Sequence, residues 1–186
     1  MKKSRITKRC TLAAGNFVSL ELLDYEDEQG QCRKWEAVQR VGAQHAAVII
    51  AQMRQGKEIL LIRQYRPALD SYVLEFPAGL IDIGESASEC ALRELREETG
   101  YSGNILKIMP PAASSAGLCG ELLTLVLVSI DENKAENQTP KADLQEGENI
   151  QSFLVHPDNM DQFIEHRLQA GDILDSRLAA WISRSL

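Results

Sequence analysis

Residues 86–99 run without a glycine or a proline, opening on Ser86-Ala87-Ser88-Glu89 and stopping at Gly100. A Ser followed three positions later by Glu is a capping box, and a glycine just past the last turn readily takes the left-handed conformation that ends a helix. This spacing predicts a helix over Ser86–Thr99. At about 3.6 residues per turn, Ala91, Leu92 and Leu95 fall on one apolar arc, so the helix must pack on a larger body. Glu94, Glu97 and Glu98 converge on the neighbouring arc. Like charges at these spacings cost a few tenths of a kcal/mol per pair. Pairs Glu89–Arg93 and Arg93–Glu97 at i,i+4 would offset part of that cost, leaving a solvated acidic face. The sharper reading is a seat for a hard cation such as Mg2+, which takes a few carboxylate oxygens and completes its octahedron with water.

The rest of the chain supplies strands for that helix to cover. Phe17–Leu23 and Cys32–Val38 read as the arms of a β-hairpin, with the turn in Asp24–Gly30. A lone hairpin is marginal in water, so this unit must pack on the main body or on a second subunit. Ala46–Ile50 and Glu58–Ile62 read as buried strands around a turn at Gln55-Gly56, and Leu122–Ile130 as another strand. Asp131–Asn149 is polar and reads as a long loop, the kind that often carries function in a compact domain. Helices are expected over Asp158–Gln169 and Asp175–Ser183. The division this implies is an N-terminal β-hairpin unit over residues 1–41 and an α/β domain over residues 42–186.

Composition narrows the function. With 186 residues, 44% hydrophobic and 25% charged, the chain has ample material for one core and no membrane-length apolar run. Its basic start is followed by no apolar stretch, so no signal peptide is expected. Cys10, Cys32, Cys90 and Cys119 form no CxxC pair, which argues for reduced thiols in a cytoplasmic protein. The net charge of −7 counts against a general nucleic-acid binder. An anionic partner would need a cation to mediate.

The segment from Gly79 to Tyr101 resembles the Nudix box, G-x5-E-x7-R-E-U-x-E-E-x-G-U with U a bulky apolar residue. Gly79, Glu85, Arg93, Glu94, Leu95, Glu97, Glu98 and Gly100 fill its fixed positions, and Tyr101 takes the last apolar one. The resemblance implies an α/β/α sandwich with a mixed sheet, joined here to a small N-terminal antiparallel β unit. It also implies that Glu94, Glu97 and Glu98 ligate divalent metal, with the backbone carbonyl of Ala78 completing the site. Gly79, Glu85, Arg93 and Gly100 become structural members of the box.

Beyond the box, Ile62–Pro67, Leu74–Gly79 and Trp35–Arg40 look like the ADP-ribose and nucleoside-diphosphate-sugar pyrophosphatase branch. That branch implies Mg2+-dependent cleavage of a diphosphate bridge, ADP-ribose giving AMP and ribose 5-phosphate. Two or three Mg2+ per site are implied, with Mn2+ as a substitute. Trp35 becomes a base-stacking residue, worth roughly 1–3 kcal/mol, where the residues alone would favour packing. Glu36, Leu80 and Ser115 join it as substrate contacts. Arg40, Arg63 and Arg66 offer planar forks to phosphate oxygens, Arg66 foremost, while Arg63 is equally a candidate partner for Glu75. By position Glu148 resembles the branch's loop glutamate, a general base or further metal ligand, with Glu146 and Glu121 as rivals. A homodimer that exchanges the N-terminal hairpin is implied as well. Ala116 stands where ADP-ribose-specific members usually carry proline, which leaves room for GDP-mannose or a related sugar. The competing activities are a dinucleoside-polyphosphate or oxidised-nucleotide hydrolase, and, in another class, a non-catalytic ADP-ribose-sensing regulator.

Overall fold

The computed structural model describes residues 2–183. Its N-terminal strands are β1 (Arg5–Ala14), β2 (Val18–Glu26) and β3 (Cys32–Arg40), followed by β4 (His45–Met53), β5 (Ile59–Arg66), β6 (Ser71–Glu75) and β7 (Ala78–Leu80). Then come α1 (Ala87–Thr99), β8 (Gly103–Ile108), β9 (Ala112–Ala113), β10 (Leu122–Ile130) and α2 (Ala135–Gln138). The chain ends with β11 (Ile150–Val155), α3 (Met160–Gln169), β12 (Ile173–Leu174) and α4 (Ser176–Ile182).

The larger sheet is mixed, in the order β12-β6-β5-β4-β10-β8, with β11 on β5, β7 on β4 and β9 on β10. β4 and β10 pair in parallel along their whole length, from His45↔Leu122 to Met53↔Ile130. Parallel central strands are covered on both faces, which explains the unbroken apolar run Ala46–Ile50. Alternate residues of that run serve opposite cores. Ala47, Ile49, Ala51 and Met53 pack with Ala91 and Leu95 of α1. Ala46 and Val48 face the other way, toward Phe76, Ile164 of α3 and Leu178 of α4. The sandwich is therefore α/β/α.

β4 and β5 are joined by the expected turn and pair at Gln52↔Ile59. Away from that point β4 takes β7 as its partner, Ala46–Val48 against Ala78–Leu80, while β5 continues along β11 and β6. The sheet is thus parted between β4 and β5, and a cleft opens there.

The N-terminal unit is a three-stranded antiparallel sheet, β1-β2-β3, rather than a hairpin. β1 is exposed along its whole length, although Ile6, Cys10 and Leu12 alternate in it with Arg5, Thr7, Arg9 and Thr11. Within the expected loop 131–149 a single turn of helix, α2, is inserted; its buried Asn137 ties that segment to Ser102 through paired bonds of 2.8 and 2.9 Å. Among the described residues, no helix is long and apolar enough to cross a membrane.

Candidate active site

Local chemistry sets α1 in place. Ser86 Oγ accepts from the Glu89 amide and the Glu89 carboxylate accepts from the Ser86 amide, so the capping box is complete. Glu89 is thereby occupied, and the Glu89–Arg93 pair expected at i,i+4 does not form. Gly100 ends the helix at φ 78°, with the Lys141 backbone where a side chain would sit. Cys90, Ala91 and Leu95 make the buried face, whereas Leu92 is 37% exposed; the apolar arc is rotated by part of a turn. That rotation carries Glu98 inward.

Glu98 is only 6% exposed and accepts a 3.1 Å bond from the Ala78 amide. Burial, reinforced by Glu94, Glu75 and Glu148, pushes its carboxyl up to about 8. Glu94 is also raised, chiefly by burial and against the pull of Arg93. Its carboxylate lies on the bare backbone of Gly79, where a Cβ would come within 1.9 Å of it. Only glycine leaves that space.

Arg93 organises the remaining carboxylates. Its Nε and Nη2 hold Glu85 at 2.8 and 2.9 Å, and Nη1 reaches Glu94 at 2.7 Å and Glu97 at 3.2 Å. Nη2 also donates to the Leu80 carbonyl at 3.2 Å. The Arg93 hydrogen bond lowers the Glu85 carboxyl to about 2. Among the described residues no three His, Cys, Asp or Glu side chains are already gathered as a metal cage. Arg93 and the Ala78 amide hold the acidic groups apart.

These groups form one side of a cavity of about 720 Å³ in the cleft between β4 and β5. Its acidic wall is Glu94, Glu98, Glu148 and Asp82, beside Ala78 and Leu80. Arg40, Arg66, Arg93 and Arg177 line the same cavity. Arg66 is fixed by two 2.9 Å bonds to buried Glu75, and Arg40 by a 2.9 Å bond to Glu121. Arg63, weighed above as a partner of Glu75, instead binds Asp172 at 2.9 Å. Register explains the correction: Glu75 stands opposite Ile62, and Arg66 shares the even-numbered face of β5 while Arg63 does not.

The loop glutamates separate. Glu148 lines the cavity, its carboxylate accepting from the Gln145 amide at 2.8 Å. Glu121 lines it too, already engaged with Arg40, and Glu146 does not line it. Glu97 stays on the outer side of α1, paired to Arg93. Trp35 and Glu36 lie in the middle of β3, opposite Leu23 and Leu22, and do not line the cavity of their own chain; Trp35 is 49% exposed. Ser115 sits in a turn whose carbonyl accepts from the Leu118 and Cys119 amides, so Ala116 and Gly117 are inside that turn. The Val38 amide bonds the Leu118 carbonyl at 2.8 Å, and this loop thereby tethers the N-terminal sheet to the cavity rim.

Asp175 and Arg177 carry no signal in the sequence as site residues. Asp175 is legible there only as a helix cap, and nothing in its spacing says that α4 starts at the cavity.

Carboxylates and fixed arginines lining one cavity of an α/β/α sandwich define a pocket for a polyanion. Residues 43–175 match the family model for the NUDIX domain, and the chain belongs to the Nudix family. It is 36% identical over 170 residues to an ADP-ribose pyrophosphatase of Saccharomyces cerevisiae, covering 87% of this chain and 74% of that protein. It is 37% identical over 153 residues to an ADP-sugar pyrophosphatase of Mus musculus, covering 78% and 70% respectively. Among solved structures, an ADP compounds hydrolase superposes with a TM-score of 0.70 at 25% identity, over 89% of this chain and 84% of that one.

Proposed function

We propose that the protein is a pyrophosphatase that hydrolyses the diphosphate linkage of ADP-sugars, with ADP-ribose giving AMP and ribose 5-phosphate. The observation that carries this reading is the gathering of Glu94, Glu98 and Glu148 with Arg40, Arg66 and Arg177 around one cavity. The pyrophosphatase relatives support the ADP-sugar class.

The residues fit a divalent cation. Buried Glu98 and half-buried Glu94, the latter paired to Arg93, both have raised proton affinity, and beside the glycine backbone at Gly79 they offer oxygen donors of the hard type that Mg2+ takes. Glu94 and Glu98 would hold it, with Glu97, Glu148 and the Ala78 carbonyl as further donors. Two or three Mg2+, or Mn2+ in its place, would supply Lewis acidity and lower the pKa of the attacking water. Arg66, prealigned by Glu75, and Arg40 bind phosphate oxygens in our reading. Arg93 fixes the Glu94 rotamer, and the Glu148 carboxylate accepts the proton of the attacking water. Glu121 is a weaker candidate for that role, since Arg40 already holds it.

The N-terminal sheet, residues 1–41, acts as the dimerisation and base-binding unit in this proposal, and residues 42–186 as the hydrolase domain. Phe17 is 78% exposed and Ile6, Leu12 and Trp35 are each close to half exposed, a large apolar area for one sheet to leave uncovered. A homodimer exchanging this sheet would cover it and bring Trp35 and Glu36 to the partner's site. The four cysteines are free thiols, which suits a cytoplasmic protein. Release of AMP from ADP-ribose in the presence of Mg2+, compared with GDP-mannose and diadenosine polyphosphates, tests the assignment. A clear preference for GDP-mannose or for the diadenosine polyphosphates over ADP-ribose would overturn it.

A further inference from the structure

The cavity's arginines include one that neither the box nor the relatives' names single out. Arg177 is the second residue of α4, and its guanidinium is clasped by Asp175, Nε to Oδ1 at 2.7 Å and Nη2 to Oδ2. The Arg177 amide also donates to Asp175 Oδ1 at 2.8 Å, and the Asp175 amide is anchored to the Leu74 carbonyl at 3.0 Å. The next residue of that strand, Glu75, clasps Arg66 through the same two nitrogens. One strand end thus presents two guanidinium groups, each locked by its own carboxylate. The carboxylates are nearly covered, with 5% of the Glu75 side chain and 12% of Asp175 exposed, while the two arginines keep 42% and 32%. In both, Nη1 has no protein hydrogen-bond partner among the described residues.

A half-buried ion pair adds little to stability for the desolvation it costs. Locking a guanidinium does bring another benefit: its remaining donors are pre-aimed, so less rotamer entropy is lost when an anion arrives. Arg66 and Arg177 both line the cavity that Glu94, Glu98 and Glu148 also line. We infer that Arg177 is a further substrate-binding residue, donating through Nη1 to a phosphate oxygen of the substrate's diphosphate alongside Arg66. This rests on the pyrophosphatase reading only for the identity of the substrate, since any diphosphate would serve.

The test is equilibrium binding by calorimetry on the full-length protein in EDTA, where turnover is stopped. The probes are ADP-ribose and inorganic pyrophosphate. Arg177→Gln alone would leave Asp175 buried and unpaired, so the principal variant is the neutral pair Asp175→Asn with Arg177→Gln, which keeps the helix cap and the side-chain shapes. It should melt close to wild type and bind both probes about tenfold or more weakly, the scale of one charge-assisted hydrogen bond lost. Arg177→Lys keeps the charge without the double clasp and should fall between the two. In turnover assays KM should rise more than kcat falls. A folded double variant that binds both probes within about twofold of wild type would overturn the inference. So would loss of the fold in both variants, since the pair would then be structural. If wild type binds pyrophosphate and not ADP-ribose, the substrate class is wrong, and the pyrophosphate arm still decides the role of Arg177.

Discussion

Replacing Glu98 with Gln separates what the fold requires from what the site requires. The folded carboxyl titrates at about 8, against an ordinary value of 4.5 for a glutamate in water. A raised folded pKa means that the native state keeps a proton the unfolded chain has lost. Stability contributed at this position is therefore complete below pH 4.5 and declines as pH rises toward 8. Integrating that linkage gives a penalty on the order of 4 kcal/mol at pH 8 and about 1 kcal/mol at pH 5. Gln keeps an oxygen for the Ala78 amide and carries no charge, so Glu98→Gln should stabilise the metal-free protein. At about 2–4 °C per kcal/mol for a domain of this size, the melting temperature in EDTA at pH 8 should rise by roughly 10 °C. The gain should shrink severalfold at pH 5. Added Mg2+ should stabilise wild type by mass action and the variant much less, and the variant should be nearly inactive. Thermal denaturation at both pH values, with and without Mg2+, reads the stability changes, and a turnover assay reads the activity. A variant no more stable than wild type at pH 8, or a gain independent of pH, would refute the burial argument.

Gly79→Ala should push the Glu94 carboxylate aside instead of breaking the fold, because the obstructed group is the end of a flexible side chain. Its activity should drop at least tenfold with a melting temperature within a few degrees of wild type. Arg93→Met should cost about 1–3 kcal/mol, measured by urea denaturation at pH 7. Because the Glu85 carboxyl titrates at about 2 in the fold and at 4.5 in the unfolded chain, its share of that difference is present above pH 4.5 and lost as pH falls toward 2. Trp35→Ala should raise KM by about tenfold with kcat little changed. If the N-terminal sheets are exchanged, mixing and refolding Trp35→Ala with Glu98→Gln subunits should restore turnover at the wild-type KM, which neither homodimer shows, since one site of the mixed dimer is then intact. No recovery would show that the base site lies within one chain.

The carboxylate helix is legible in the sequence to the residue, because a capping box and a terminal glycine are local signals that tertiary structure seldom overrides. The buried central strands are legible for the same reason: a continuous apolar run at strand length has few other uses. Leu92 sits a fraction of a turn from its expected place, since a helical wheel says which residues share an arc and not how deep the arc sits. The pairing of Glu75 depends on strand register between β5 and β6, which propensity does not encode, and so Arg63 and Arg66 are indistinguishable as its partner before the register is known. Arg177 and Asp175 lie far along the chain from the box and reach the cavity only because α4 packs on β6. β1 does carry an alternation, Ile6, Cys10 and Leu12 against Arg5, Thr7, Arg9 and Thr11, interrupted by Lys8, and the expected hairpin starts one strand too late.

Glu94 and Glu98, in one cavity with Arg40, Arg66 and Arg177, are proposed to form a cation-dependent site for an ADP-sugar. The most direct measurement is the product pattern and kcat/KM of the full-length protein with ADP-ribose, with Mg2+ and with EDTA, beside the same protein carrying Glu98→Gln. The account predicts stoichiometric AMP and ribose 5-phosphate with Mg2+, none with EDTA, and a loss of at least about 100-fold in the variant, on the order of 3 kcal/mol of transition-state stabilisation. AMP release that persists in EDTA, or that survives Glu98→Gln, would contradict it.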